Sequence, residues 1–243
     1  KPGSHNFGVD NRQQLYRFMG DVFYPGDTSF DAKEIPSEAE VKSYDDLLVP
    51  LPEDNHSFNS IALGLMKGLP KPQSSSEAEQ RKHLLKIVHA KEYTATAKKV
   101  GGEGGVAHFQ FALGRDWTVP ATVFTPPEVK GTTLLIADEG RAKQTTAVTQ
   151  LMEDGYRVVA LDPFFFGESK IKSRDFLHVI LMHAVGERAL GVQSGQLAAI
   201  ADWAAEAYGG PVGLQSIGPR LSVSARLAAV QTEAIQSVTL HDP

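Results

Sequence analysis

The stretch Leu214-Gln215-Ser216-Ile217-Gly218-Pro219-Arg220 is where this sequence comes nearest to a nucleophile. A short apolar run, Val212–Ser216, leads into it, and a helical pattern from Pro219 to Thr232 leads away. A serine on a strained strand-to-helix turn, written G-x-S-x-G, attacks well because the turn exposes its hydroxyl, and small flanking residues let the helix approach the strand. Two registers fit. With Ser216 as the nucleophile, the position two before it is Leu214, bulky where a small residue is wanted. Counting back from Leu227-Ala228-Ala229-Val230 instead places Gly218 at the turn and Ser216 at the small flank, which leaves no hydroxyl to attack anything. The second register is favoured, and a plain role for Ser216 as a turn serine capping the next helix stands beside both.

The elements that would position such a turn begin at Gly131–Ser169. Thr132–Ala137 is an apolar run with the composition of a buried strand, and Gln144–Asp154 presents Ala147, Val148, Leu151 and Met152 on one helical face. Gly155 stands where that helix should stop, and Tyr156–Leu161 is a second buried strand. Two nearly all-apolar strands joined by a helix make a right-handed βαβ unit of a parallel sheet. Ligands gather beyond the carboxyl ends of such strands, here Asp138-Glu139-Gly140-Arg141 and Asp162–Ser169.

Other chemistry is poorly supported. Gly101-Gly102-Glu103-Gly104-Gly105 lies in a hairpin, precedes no helix and lacks the Lys-Ser/Thr of a phosphate-binding loop. The eight histidines include no H-E-x-x-H and no paired metal spacing, so neither a metal nor a cofactor is implied. His178 and His183, five apart on an apolar helix, read as core or interface histidines. Phe164-Phe165-Phe166 reads as a buried loop anchor rather than as the floor of a sugar-stacking cleft. A net charge of −5 with no basic stripe argues against nucleic acid, no apolar run is long enough to span a bilayer, and the absence of cysteine excludes disulfide and thiolate chemistry.

Along the chain, residues 1–70 differ from the rest. Asn11–Val22 reads as an amphipathic helix behind an Asp10 N-cap, Ser57–Lys67 as a short helix, and no sheet is evident to give this segment a core of its own. Residues 71–79 form a linker, with Ser76 and Glu79 spaced as a capping box. From residue 80 the pattern runs: helix, a hairpin over Lys91–Val100 and Val106–Leu113, a strand at Trp117–Thr125, the βαβ unit, and helix from Phe176 to Ala207 broken near Gly186–Gly195. It closes with the strand–turn–helix and a last strand, Ile235–Leu240. An antiparallel start followed by parallel strands alternating with helices is the order of an α/β-hydrolase sheet. The fold class expected is α/β, a three-layer hydrolase-like arrangement with a mostly parallel sheet that is incomplete at the C-terminus.

From about residue 80 onward, TVPATVFTP, LLIADEGR, RVVALDPFFFGES and the strand–turn–helix at Pro211–Val230 resemble the N-terminal two-thirds of bacterial acetyl xylan esterase-like α/β-hydrolases. SHNFGVDNRQQLYRF resembles the histidine loop and following helix near the end of a unit in the same family. Some members look like two units in tandem. On that reading this chain is a piece of something longer, opening with the tail of one unit and continuing through most of the next.

The resemblance implies serine-type hydrolysis of a carbohydrate ester or other small ester, and a secreted or periplasmic location. It makes His5 the base that takes the nucleophile's proton, a role suited to a side chain titrating near neutrality. The backbone of the Asp138–Arg141 turn, at Glu139 and Gly140, would line the oxyanion hole, although an ordinary β–α connection suffices where no nucleophile is present. Because triad order in this fold is Ser, acid, His, the second unit cannot complete a triad within this chain. A non-catalytic scaffold or binding module is the alternative, and a permuted enzyme in which His5 meets Ser216 is a third reading. A sheet ending at Ile235–Leu240 leaves an open edge, so Val238 and its neighbours are expected to pair with another chain or with residues beyond this one.

Overall fold

The computed structural model describes residues 7–69 and 76–243. They fall into two units that divide between Pro72 and Gln73. In the first, helix α1 (Val9–Phe23) and helix α2 (Phe58–Lys67) are joined by largely irregular chain. Gly8 takes the cap of α1, and Asp10, expected there, sits in the first helical turn, where its charge suits the positive helix start. Ser57 caps α2 by accepting the Ser60 N–H at 3.1 Å. Local contacts include Tyr24 stacked on Phe30 and an Arg12–Glu34 ion pair. No described residue in 7–69 is buried, as expected of a segment without a sheet.

The second unit opens with α3 (Glu77–Ile87), whose first turn carries the capping box between Ser76 and Glu79. Strands β1 (Ala95–Gly101), β2 (Val106–Leu113) and β3 (Trp117–Phe124) follow, then β4 (Gly131–Ala137), α4 (Thr145–Glu153) and β5 (Tyr156–Leu161). Helices α5 (Asp175–Ala184) and α6 (Ala189–Tyr208), strand β6 (Val212–Ile217), helix α7 (Pro219–Gln231) and strand β7 (Ile235–His241) complete it. The seven strands form one sheet in the order β1-β2-β3-β5-β4-β6-β7. Pairing is antiparallel from β1 through β3 to β5 and parallel from β5 through β4 and β6 to β7. The change follows from the connections, since tight turns reverse the chain while helical crossovers return it in the same direction.

Strand alternation builds three layers. Leu135 and Val158 face α4, packing with Val148 and Leu151. Leu134, Ile136, Val159 and Leu161 face the other way, against Val192, Leu197 and Ile200 of α6 and Leu221, Ala225 and Ala228 of α7. The inner strands are apolar on both faces because both are covered.

The helical break lies at Val185–Arg188, and Gly191 and Gly195 are inside α6. Their small size serves packing. A Cβ on Gly191 would lie 2.2 Å from the His89 carbonyl oxygen, and one on Gly195 2.2 Å from that of Lys91. Segment 89–91 therefore runs directly along the helix, and the Lys91 N–H donates to the Gly191 carbonyl at 3.2 Å. Helix α5 buries no residue, so His178 and His183 are exposed rather than in a core. Among the described residues no helix is long and apolar enough to cross a membrane.

Two outcomes follow. Gly195→Ala should lower unfolding free energy by about 1–3 kcal/mol in urea titrations, because the obstructing atom is backbone and cannot swing aside. Burial, with Glu187 nearby, pushes the Tyr93 phenol up to about 12. Its folded value lies above the unfolded one, so the stabilisation is complete below about pH 10 and lost as pH rises towards 12. Tyr93→Phe should remove that part of the alkaline loss, seen by comparing both proteins at about pH 9 and pH 11.

Candidate active site at the strand ends

Successive connections step from β4 outward to β5 and then back across β4 to β6, so the sheet has its switch point at β4. The loops after β4, β5 and β6 meet at this edge, where open α/β sheets bind ligands. Gly218 occupies the turn between β6 and α7, with φ 101° and ψ 156°. Ser216 lies two residues earlier, within the strand, paired with Ile136 on one side and Leu240 on the other. It is 0% exposed and shares the strand face of Leu214, which points into the α6/α7 core. Its Oγ has no hydrogen-bond partner, and the first free N–H groups of α7, on Arg220 and Leu221, are taken by Asp138. Ser216 thus lies inside the sheet, closed to solvent, and does not cap α7.

The turn after β4 is similarly committed. The Asp138 N–H donates to the Ile217 carbonyl at 2.9 Å and the Gly140 N–H to the Ala137 carbonyl at 2.9 Å. The Arg141 N–H donates to Asp162 Oδ1 at 2.7 Å. An oxyanion hole needs donors aimed at the place where charge will develop, and these three are aimed at internal acceptors. Gly140 is buried, and Glu139 is exposed at the rim. The Asp138 carboxylate accepts from the N–H groups of Arg220 at 3.0 Å and Leu221 at 2.8 Å.

At the end of β5 the organising group is Asp162, which is 2% exposed. Its carboxylate accepts from the Arg141 backbone and guanidinium and from the Glu168 N–H at 3.0 Å, while its carbonyl accepts from Ser169 Oγ at 2.8 Å. The Arg141 guanidinium also pairs with Glu168. Gly167 is required beside this carboxylate, since a Cβ there would lie 2.2 Å from Asp162 Cγ. Nothing in the residue pattern singled out Asp162 beyond a charged residue directly after a fully apolar strand, a position that must be paired if buried.

Phe164, Phe165 and Phe166 are all buried, the anchor expected of them. The Phe164 N–H donates to Gln196 Oε1 at 2.9 Å and its carbonyl accepts from Gln193 Nε2 at 3.0 Å, so two buried amides of α6 hold the loop. Beside the Asp162 network lies an open cleft of about 760 Å³ with Phe124, Val148, Met152 and Ala160 on its floor and His108 and Lys143 among its polar groups. No cluster of metal-binding side chains occurs among the described residues. His5 lies outside them.

No family model matches the chain, and no curated protein matches it in sequence. Solved structures do. A Bacteroides fragilis protein described as an acetyl xylan esterase aligns over 78% of this chain and 62% of its own, with TM-score 0.59 and 13% identity. Acetyl xylan esterase 1 of a Thermoanaerobacterium species aligns over 72% of this chain and 61% of its own, with TM-score 0.47 and 16% identity. A dienelactone hydrolase of Anabaena variabilis aligns over 60% and 63%, with TM-score 0.41 and 14% identity. The chain therefore spans a little over three-fifths of the length of each. At such identities the likeness is one of fold, and the fold is α/β-hydrolase-like.

Asp162→Ala should cost about 3–5 kcal/mol of stability, because it leaves the part-buried Arg141 guanidinium without its inner carboxylate. Chemical denaturation measures this directly, and a loss below about 1 kcal/mol would mean that the pair is only a solvated contact.

Proposed function

We propose that this chain is part of a carbohydrate esterase of the acetyl xylan esterase kind, in which residues 76–243 form a non-catalytic hydrolase-like module. His5 belongs, on this reading, to the active site of a separate unit whose serine and acid lie elsewhere in the parent protein. That unit would remove acetyl or related esters from plant polysaccharide by serine-type acyl transfer, outside the cell or in the periplasm. The observation that carries the non-catalytic assignment is Gly218 at the turn where the fold needs a nucleophile, with Ser216 buried in the strand before it. Support for the esterase half is the resemblance of SHNFGVDNRQQLYRF to a family histidine loop.

The reading is tested with p-nitrophenyl acetate and a serine-directed phosphonate. The 243-residue chain should show no turnover above buffer and take up no label. A parent protein carrying sequence upstream of Lys1 should turn over the ester and bind one phosphonate, and His5→Ala in that parent should reduce kcat by about three orders of magnitude or more. Label on Ser216 would overturn the non-catalytic assignment and revive the permuted enzyme. A parent that keeps full activity as His5→Ala would remove the histidine from catalysis.

A further inference from the structure

The first N–H groups of a helix have no partners within it, and together with the helix dipole they attract negative charge. In α7 two of them, on Arg220 and Leu221, are taken by a carboxylate of the chain itself. Asp138 Oδ2 accepts from Arg220 at 3.0 Å and Oδ1 from Leu221 at 2.8 Å. An ordinary cap comes from the residue just before the helix, but that position is Gly218, which has no side chain to offer. The cap comes instead from the neighbouring strand end, after β4, and the Asp138 N–H fixes it there by donating to the Ile217 carbonyl at 2.9 Å.

Space at the turn is allotted the same way. A Cβ on Gly218 would lie 2.6 Å from Asp138 Cγ and 2.8 Å from Asp138 Cβ. Both are short-tethered carbons held by the two hydrogen bonds, so the carboxylate could make way only by leaving the helix. A φ of 101° adds backbone strain for any side chain there.

We propose that Asp138 is a built-in occupant of the anion-binding end of α7, and that Asp138 and Gly218 are an interdependent pair closing the β4 and β6 strand ends. A working hydrolase turn needs the reverse, a side chain at the turn and donors facing an empty place for the oxyanion. One carboxylate fills the room a side chain at the turn would use and takes the first two N–H donors of α7, Pro219 having none to offer. Its charge also repels any anion approaching the same end. These contacts are present whatever ester the parent protein cleaves, so the pair stands or falls separately from the esterase reading.

The test is a double-mutant cycle on the 243-residue chain with Asp138→Ala and Gly218→Ala, read as Tm with and without inorganic phosphate against chloride of equal ionic strength. Gly218→Ala alone should lower Tm by about 5 °C or more, and by less than about half as much in the Asp138→Ala background, where only backbone strain remains. Phosphate should leave the wild-type Tm unchanged and raise that of Asp138→Ala by about 2 °C or more. Additive Tm losses would overturn the interdependence, and a variant no more responsive to phosphate than the wild type would overturn the occupancy. Should Gly218→Ala not fold, Asp138→Asn provides the second measurement through amide hydrogen exchange. The Arg220 and Leu221 amides should exchange at least about tenfold faster, because the amide offers one acceptor oxygen and no charge, while the Gly140 amide keeps its rate. Unchanged exchange at Arg220 and Leu221 would refute the assignment.

Discussion

With 2% of its surface exposed, the Asp162 carboxylate must be satisfied by the protein, and the loops around it are shaped to do so. An unpaired charge at this depth would cost several kcal/mol, so the guanidinium of Arg141 and two backbone N–H groups have to reach it. That requirement sets the path of the chain after both β4 and β5. Gly140 and Gly167 meet beside the carboxylate with positive φ because no side chain fits between them, a Cβ on Gly140 falling 2.4 Å from the Gly167 Cα. The Phe164–Phe166 segment is then directed back into the core, where Gln193 and Gln196 bond its backbone.

The strand ends beside this network are closed by contacts within the chain. The N–H groups of Asp138, Gly140 and Arg141 after β4, and of Arg220 and Leu221 at the start of α7, are engaged by acceptors of the chain itself, and the turn after β6 is a glycine. None of this weakens the fold. The sheet is held by its buried strands and the helices on each face. The fold therefore does not fix what the strand ends do, and function has to be argued from the site.

The two units differ in what their sequences can sustain. Residues 7–69 carry Leu15, Phe18, Met19 and Val22 on α1 and Ile61, Leu63 and Leu65 on α2, yet every one of these is exposed. From β4 to β6 the pattern is the opposite, with apolar strands packed against helices on both faces of the sheet.

Periodicity and composition alone determined the elements of the second unit, because buried strands and amphipathic helices have to be written in local residue pattern. Tyr156–Leu161 was legible to the residue, as was the capping box at Ser76 and Glu79. Contacts between residues far apart in the chain were not legible, and they decided the site. The break expected near Gly186–Gly195 falls at Val185–Arg188, and the place of Gly191 and Gly195 inside α6 was not legible because the close passage of segment 89–91 leaves no local trace. Five residues of strand and turn allow both Ser216 and Gly218 as the pivot, and only the pairing of β6 with β4 and β7 puts Ser216 inside the sheet. Asp138 and Asp162 look alike in sequence, each an aspartate after an apolar run. Tertiary structure gives one to the start of a helix more than eighty residues away and the other to an arginine on the neighbouring loop, since a carboxylate's role is set by the donors that fold around it.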